Sequence, residues 1–300
     1  MSPVARLVGF LVVIPLCALV FVPLERAFPI QERKRILRRD AIIDYLFFFA
    51  GLVIVVPLAP PIRTAFVAFV LGPLIPGWDT GQIMRGYGIV AALPLWALLP
   101  LLTVVHDFLE YWLHRALHTR WFWRFHVAHH SAREMDWLVF CRNHPIEGLM
   151  HHVFRGSILV LLGFPFEIVA VYDATFFGLV GILTHANINV RAWNRAPWKY
   201  ILASPMFHHW HHTAEREGLD KNLCSVFPIW DILFGTFYMP DRAPRVYGLI
   251  HPINESFLGL LGSAFYAQDA FDEQASVREE DRPTKPFEAE NGRTTARLPD

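Results

Sequence analysis

Histidine is the residue type that can do chemistry here. The 300-residue chain holds 15 histidines, and all but His251 fall between His106 and His212. They come in groups. His114 and His118 stand four apart, His126, His129 and His130 follow at i, i+3 and i+4, and His208, His211 and His212 repeat that spacing. On a helix these intervals bring side chains to one face. Neutral imidazole is a ligand for iron, zinc, copper and nickel, so the implied chemistry is that of a bound metal. Eight imidazoles exceed the roughly four to six donors of a single ion, which points to two metals. Cys17, Cys141 and Cys224 form no C-x-x-C pair, which argues against a disulfide scaffold, a four-thiolate zinc site and an iron–sulfur cluster. The H-E-x-x-H pattern of metalloproteases is absent. Asp107, Tyr111, His114 and His118 are spaced i, i+4, i+7 and i+11, so Asp107 shares the ligand stripe and is expected to orient an imidazole through its free N–H.

The elements that must position these groups are apolar helices. Hydrophobic residues make up 54% of the chain and charged residues 18%, against roughly 25% charged in an ordinary globular protein. Mean hydropathy is +0.32. The 27 basic and 27 acidic residues balance, which gives no reason to propose a nucleic-acid partner. Residues 4–24 read as a retained membrane anchor, residues 41–58 as a span ending at Pro57, Pro60 and Pro61, and residues 87–105 as a third span. Residues 65–75 are too short to cross and read as an interfacial or re-entrant piece. Residues 156–183 read as a helical hairpin turning at residues 163–167. The loop at 26–40 carries Arg26, Arg33, Lys34, Arg35, Arg38 and Arg39, which places it in the cytoplasm. Counting crossings from there, both large histidine clusters emerge on that same side. The expected fold is all-α: a multi-pass integral membrane protein with a cytoplasmic, histidine-rich helical cap. Its parts are anchor helices and a basic loop (1–86), a histidine-box catalytic domain with a membrane hairpin (87–250), and a C-terminal extension (251–300) with a disordered tail from about residue 268.

The pattern D-F-x-x-Y-W-x-H-R-x-x-H (residues 107–118) followed by W-R-F-H-x-x-H-H-S (123–131) resembles the fatty acid hydroxylase and sterol desaturase superfamily. R-N-H-P-I-E (142–147), H-A-N (185–187) and S-P-x-x-H-x-x-H-H (204–212) continue the resemblance in order, over about residues 89–247. The three-residue gap inside the first box fits the hydroxylase and sterol-desaturase branch better than the acyl-chain desaturases. The resemblance implies a histidine-bound centre of two iron ions that uses O2 and electrons to hydroxylate or desaturate a lipid such as a fatty acyl chain or sterol. It carries over His114, His118, His126, His129, His130, His208, His211 and His212 as ligands. His185, which ends the last membrane arm, joins them as a ninth. Asn189 is placed to reach the metal directly or through water, and His144 to back the centre or open a helix at Pro145. His151 and His152 continue that helix, with one of them free to face the centre. His106, His209 and His251 are given no metal role.

The chain has no dinucleotide-binding G-x-G-x-x-G between strand and helix, and no fused cytochrome b5 signature. The resemblance therefore implies electrons from a separate cytochrome b5-like or ferredoxin-like carrier and a reductase. The short loops and the lack of a C-terminal retrieval signal suit a bacterial inner membrane better than the endoplasmic reticulum. A non-enzymatic membrane metal-binding or metal-transport protein is the alternative. Transport sites sit near the bilayer midplane, whereas these histidines follow the spans.

Overall fold

The computed structural model describes residues 3–32, 35, 37–74, 77, 79–251, 253–267 and 271. Arg33 and Lys34 of the basic loop, and the expected tail apart from Phe271, lie outside them. The described residues form helices and connecting loops with no strand; Thr213 and Tyr247 make a single antiparallel bridge.

Helix α1 (Pro3–Ala27) covers the expected anchor. Helix α2 (Ala41–Leu71) does not stop at its prolines, as the sequence reading expected. It runs straight through Pro57, Pro60 and Pro61 and takes in most of the supposed re-entrant piece. Prolines remove backbone donors, and two widened turns flank the proline segment, Gly51–Val55 and Val67–Leu71. In such a turn the bond reaches one residue further back, as from Val56 N–H to the Gly51 carbonyl. An apolar environment offers no water to a broken helix, so continuation is the favourable outcome. Only 22% of its apolar window is buried within the molecule, and Val53 and Phe69 stand 70% and 82% exposed. That is the wrong profile for the core helix of a soluble protein.

The expected span at 87–105 is broken. A short helix, Gly88–Ala91, turns at residues 92–94, and helix α3 (Leu95–Leu117) starts from Pro94 as its N-cap. Its 23 residues run about 34 Å, carrying the chain directly to His114. Helix α4 (Trp123–His130) follows after a tight turn. The hairpin is present with longer arms than expected: α5 (residues 145–161) and α6 (Phe166–His185). Gly163 makes its turn at φ +97°, where a Cβ would lie 2.6 Å from the Tyr87 carbonyl oxygen. Among the described residues, α2 and α6 are the helices long and apolar enough to cross a membrane. Helix α3 falls short because His106, Asp107 and Glu110 interrupt its second half.

Helix α7 (Pro205–His211) is set by sequence at its start: the Ser204 hydroxyl accepts the Phe207 N–H at 3.2 Å and Pro205 occupies the first turn. Helix α8 (Phe257–Tyr266) packs on α4, with Leu260 against Ala128 and the Ser263 hydroxyl donating to the Arg124 carbonyl at 2.8 Å. A buried ionic cluster fastens α2 to the turn leading into α5. Arg38 spans Asp44 and Asp136, and Arg142 spans Asp44 and Asp40. Every one of these cations has a carboxylate partner, as burial requires.

Candidate metal centre

Nine histidines converge in two groups. His114, His118, His126, His130 and His211 form one; His129, His185, His208 and His212 form the other. All nine are buried, and within each group the inward nitrogens lie within 4.8 Å of one another. Helices α3, α4 and α7 each bring residues to the first group, and α4, α6 and α7 supply the second together with His212, which caps α7. Adjacent histidines on α4 part company, His129 facing one group and His130 the other.

Hydrogen bonds show which nitrogen carries a proton in six of these rings. Carbonyl and carboxylate oxygens only accept, so a ring nitrogen bonded to one must carry the proton. The Nδ1 atoms of His114, His129, His185 and His211 donate to the carbonyls of Leu223 (2.7 Å), Arg142 (3.3 Å), Gly181 (2.7 Å) and Lys221 (2.9 Å). Those of His118 and His126 donate to Asp220 (2.9 Å) and Glu147 (2.8 Å). In the neutral form that binds metal, each of these rings presents its Nε2 lone pair to its group. The Nε2 atoms of His114 and His126 stand 3.2 Å apart, and those of His129 and His185 stand 3.0 Å apart. Two lone pairs at that distance repel, and a cation between them turns the repulsion into ligation. Nitrogen ligands at about 2.0–2.1 Å from an ion are separated from one another by about 3.0–3.4 Å, which matches these spacings. His208 and His212 approach His185 at 3.0 and 3.2 Å and complete the second group. Burial, and then the neighbouring imidazoles, hold His129, His130, His208, His211 and His212 well below the usual histidine range. They are neutral, the form that binds metal. An all-nitrogen donor set suits iron, zinc or copper, so the residues present fit the expected metal.

The groups differ in what stands behind them. Two carboxylates back the five-histidine group, whereas His129 and His185 rest on carbonyls alone. The Nδ1 atoms of His208 and His212 meet no acceptor among the described residues. A void of about 10 Å³, room for one water-sized molecule, abuts His118, His130 and His211 and is also lined by Thr213 and Gly248.

Of the three expected supporting residues, Asp107 and Asn189 do something else and His144 takes its helix-opening alternative. Asp107 touches no imidazole. It lies two helical turns before His114, and its carboxylate takes the N–H groups of Ser225, Val226 and Phe227 at 2.8–3.0 Å and the Trp230 indole at 3.1 Å. It anchors the loop whose Leu223 carbonyl orients His114. His144 caps α5, accepting from Ile146 N–H and donating to the Leu261 carbonyl, so both its nitrogens are spent on backbone. Asn189 falls beyond the end of α6, where the chain turns extended at Ala186, and its side chain accepts from Asn194. His151 lies between Glu110 (3.1 Å) and Glu147 (3.7 Å), and His106 pairs with Asp173 at 2.7 Å. His209 donates to the carbonyls at the end of α6, as expected of a residue outside the metal groups. Sequence reasoning missed Glu147 and Asp220. Glu147 carried a signal: it is the single carboxylate of residues 145–161, three residues after His144 and the helix opening expected at Pro145.

A buried, all-histidine centre carried on largely apolar helices defines a histidine-cluster metalloprotein associated with membranes. Residues 99–236, the segment holding all nine histidines, match the fatty acid hydroxylase family. The ornithine lipid hydroxylase OlsE of Rhizobium tropici is 31% identical over 164 residues, covering 54% of this chain and 48% of that protein. Human alkylglycerol monooxygenase is 32% identical over 149 residues, 49% of this chain and 32% of the relative. The very-long-chain aldehyde decarbonylase GL1-6 of Oryza sativa subsp. japonica is 30% identical over 146 residues, 43% and 21% respectively. The chain thus spans half the length of these relatives or less. No solved structure matches it.

Proposed function

We propose that the chain is a membrane-bound, O2-dependent lipid hydroxylase or desaturase whose two histidine groups hold two iron ions. The observation that carries this reading is the pairing of inward lone pairs, 3.0 and 3.2 Å apart, in two separate all-histidine groups. Iron bound there supplies the oxidising power that side-chain acids and bases lack toward an unactivated C–H bond. The chain's own residues do the rest. Carbonyl and carboxylate acceptors hold each imidazole in its ligating tautomer. The buried Trp123 ring lies 5.2 Å from both the His118 and the His130 rings and helps keep bulk water out. The water-sized void beside His118 offers a route for a small gas molecule.

The names of the relatives support a lipid substrate, with ornithine lipids and alkylglycerols as the first to try. In hydroxylation one oxygen atom of O2 enters the lipid and the other leaves as water, with two electrons and two protons consumed. A separate cytochrome b5-like or ferredoxin-like carrier and its reductase supply the electrons. We place the histidine cap on the cytoplasmic side of a bacterial inner membrane, since Arg26, Arg35, Arg38 and Arg39 all lie at the end of the molecule where α1 stops and α2 begins. Residues 87–250 are read as the catalytic unit, between the anchor (1–86) and the C-terminal extension (251–300).

Metal analysis of detergent-purified protein, with His129→Ala and His211→Ala alongside, tests the centre. About two irons per chain are expected, with each variant losing metal. Lipid extracts from expressing cells should contain a product heavier by one oxygen or lighter by two hydrogens. One metal per chain, or full retention in both variants, overturns the two-group reading.

A further inference from the structure

We propose that a cleft at the polar end of α1 seats a zwitterionic lipid head, one that carries an ammonium and an anionic oxygen group on the same molecule. The inference rests on the lipid reading above. The cleft holds about 270 Å³ and is lined by Glu25, Arg26, Glu32, Arg35 and Asn187 with two apolar neighbours. Ligand pockets run from about 300 to 1,000 Å³, so this is the scale of a head without its chains.

Its place suits such a ligand. The last turns of α1 before it expose apolar side chains at Leu16, Leu19, Val20 and Leu24, of which Leu19 lies two turns before Arg26 on the same stripe. Acyl chains covering that face bring their heads level with Arg26. The charges suit it as well. Arg26, Glu32 and Arg35 are exposed and make no hydrogen bond or ion pair with the described residues, although opposite signs share one cleft. A purely anionic head would meet Glu25 and Glu32, and a purely cationic one Arg26 and Arg35. A head with both signs satisfies both sets.

The floor of the cleft is fixed in advance. One Glu25 oxygen accepts the N–H groups of Trp137 (2.8 Å) and Asn187 (2.9 Å). The Asn187 side chain accepts from Ile30 and Gln31 N–H at 3.1 and 3.0 Å and donates to the Gln31 carbonyl at 2.8 Å. Asn187 stands two residues beyond His185, which ties the floor of the cleft in sequence to the four-histidine group. Phe21, Trp137, Ile182 and Ala186, from the same segments, pack in one buried apolar cluster.

The test is lipid binding to the purified, iron-loaded full chain, read by native mass spectrometry in two matched pairs. One pair is phosphatidylethanolamine against phosphatidylglycerol; the other is Nα-palmitoyl-lysine against palmitate. About two- to fivefold tighter retention of the zwitterion is expected in at least one pair, and the pair that shows it identifies phosphate or carboxylate as the anionic partner. Glu32→Gln should abolish the preference, and Arg26→Gln with Arg35→Gln should weaken all four lipids. These side chains are exposed, so the variants are expected to fold, which a melting curve checks. Equal retention within both pairs, or a preference that survives the substitutions, overturns the proposal. Binding needs no turnover, so the two readings fail separately. A head preference without any oxidised product sinks the oxygenase reading and leaves the cleft; oxidised product without a preference does the reverse.

Discussion

In a Glu147→Gln protein the His126 N–H keeps an oxygen acceptor but loses a charged one. Glu147 is 1% exposed and 2.8 Å from His126 Nδ1, so no water replaces it. Hydrogen bonds to an ionised partner contribute about 1.5–3 kcal/mol and neutral ones about 0.5–1.5. The difference, about 1–1.5 kcal/mol, corresponds to about a tenfold loss in affinity for the ion held by His126. That agrees with the lower end of the about 10–100-fold seen when residues behind metal ligands are removed. Glu147→Ala leaves His126 without an acceptor and should approach the upper end. Because Glu147 backs only the five-histidine group, the loss should be selective. Dialysis against graded chelator, followed by iron analysis, reads it directly. The glutamine variant should fall to about one iron per chain at a chelator level where the parent keeps about two. Equal loss of both irons, or a curve superimposable on the parent's, would refute the claim that this carboxylate supports one metal position.

Asp107→Asn removes a charged acceptor from four donors and should lower stability by about 2–4 kcal/mol, seen as a reduced melting temperature in detergent. Metal content in the cold should change less than in Glu147→Gln, since Asp107 contacts no ligand. Gly181→Ala puts a methyl group 2.2 Å from the Phe140 ring, whose centroid lies 5.8 Å from that of His185. A cost of about 1–3 kcal/mol is expected, with loss of metal from the four-histidine group; an unchanged melting temperature and metal content would contradict the packing. The buried histidines also set a pH dependence. In the unfolded chain each takes up a proton as pH falls through about 6.5, while burial keeps the folded ring neutral well below that. The unfolded state then binds more protons, so stability present above about pH 6.5 declines in acid, by up to about 1.4 kcal/mol per pH unit for each such ring. Melting temperatures from pH 8 to pH 5 check the sign; a rise toward pH 5 would contradict it.

The histidine spacings made the three helical patches legible, because i, i+3 and i+4 intervals are a local property. The division of nine histidines into five and four was not legible. It depends on how α4 lies between α3 and α7, which separates His129 from its neighbour His130. The stripe argument for Asp107 failed for a related reason. Sharing a face says nothing about height along the axis, and two turns put the carboxylate on a different loop. Asp220 backs His118 across 102 residues of sequence, beyond the reach of any spacing argument. The helical hairpin was legible from Gly163 and Pro165. The passage of α2 through three prolines was not, because proline rules drawn from water-exposed helices assume that a broken bond can be rehydrated.

The packing of α8 on α4 has a bearing on how a histidine centre of this kind can be dissected. The family match ends at residue 236, yet Leu260 and Ser263 hold the far side of the helix that carries His126, His129 and His130. On the other flank, Asp40 and Asp44 grip Arg142, whose carbonyl sets His129, and Arg38 in turn holds Asp44. A graft of residues 99–236 into a relative would therefore transplant the ligands without the two clamps that hold them in register. The smallest portable unit has to include residues 38–44 and 253–267 as well.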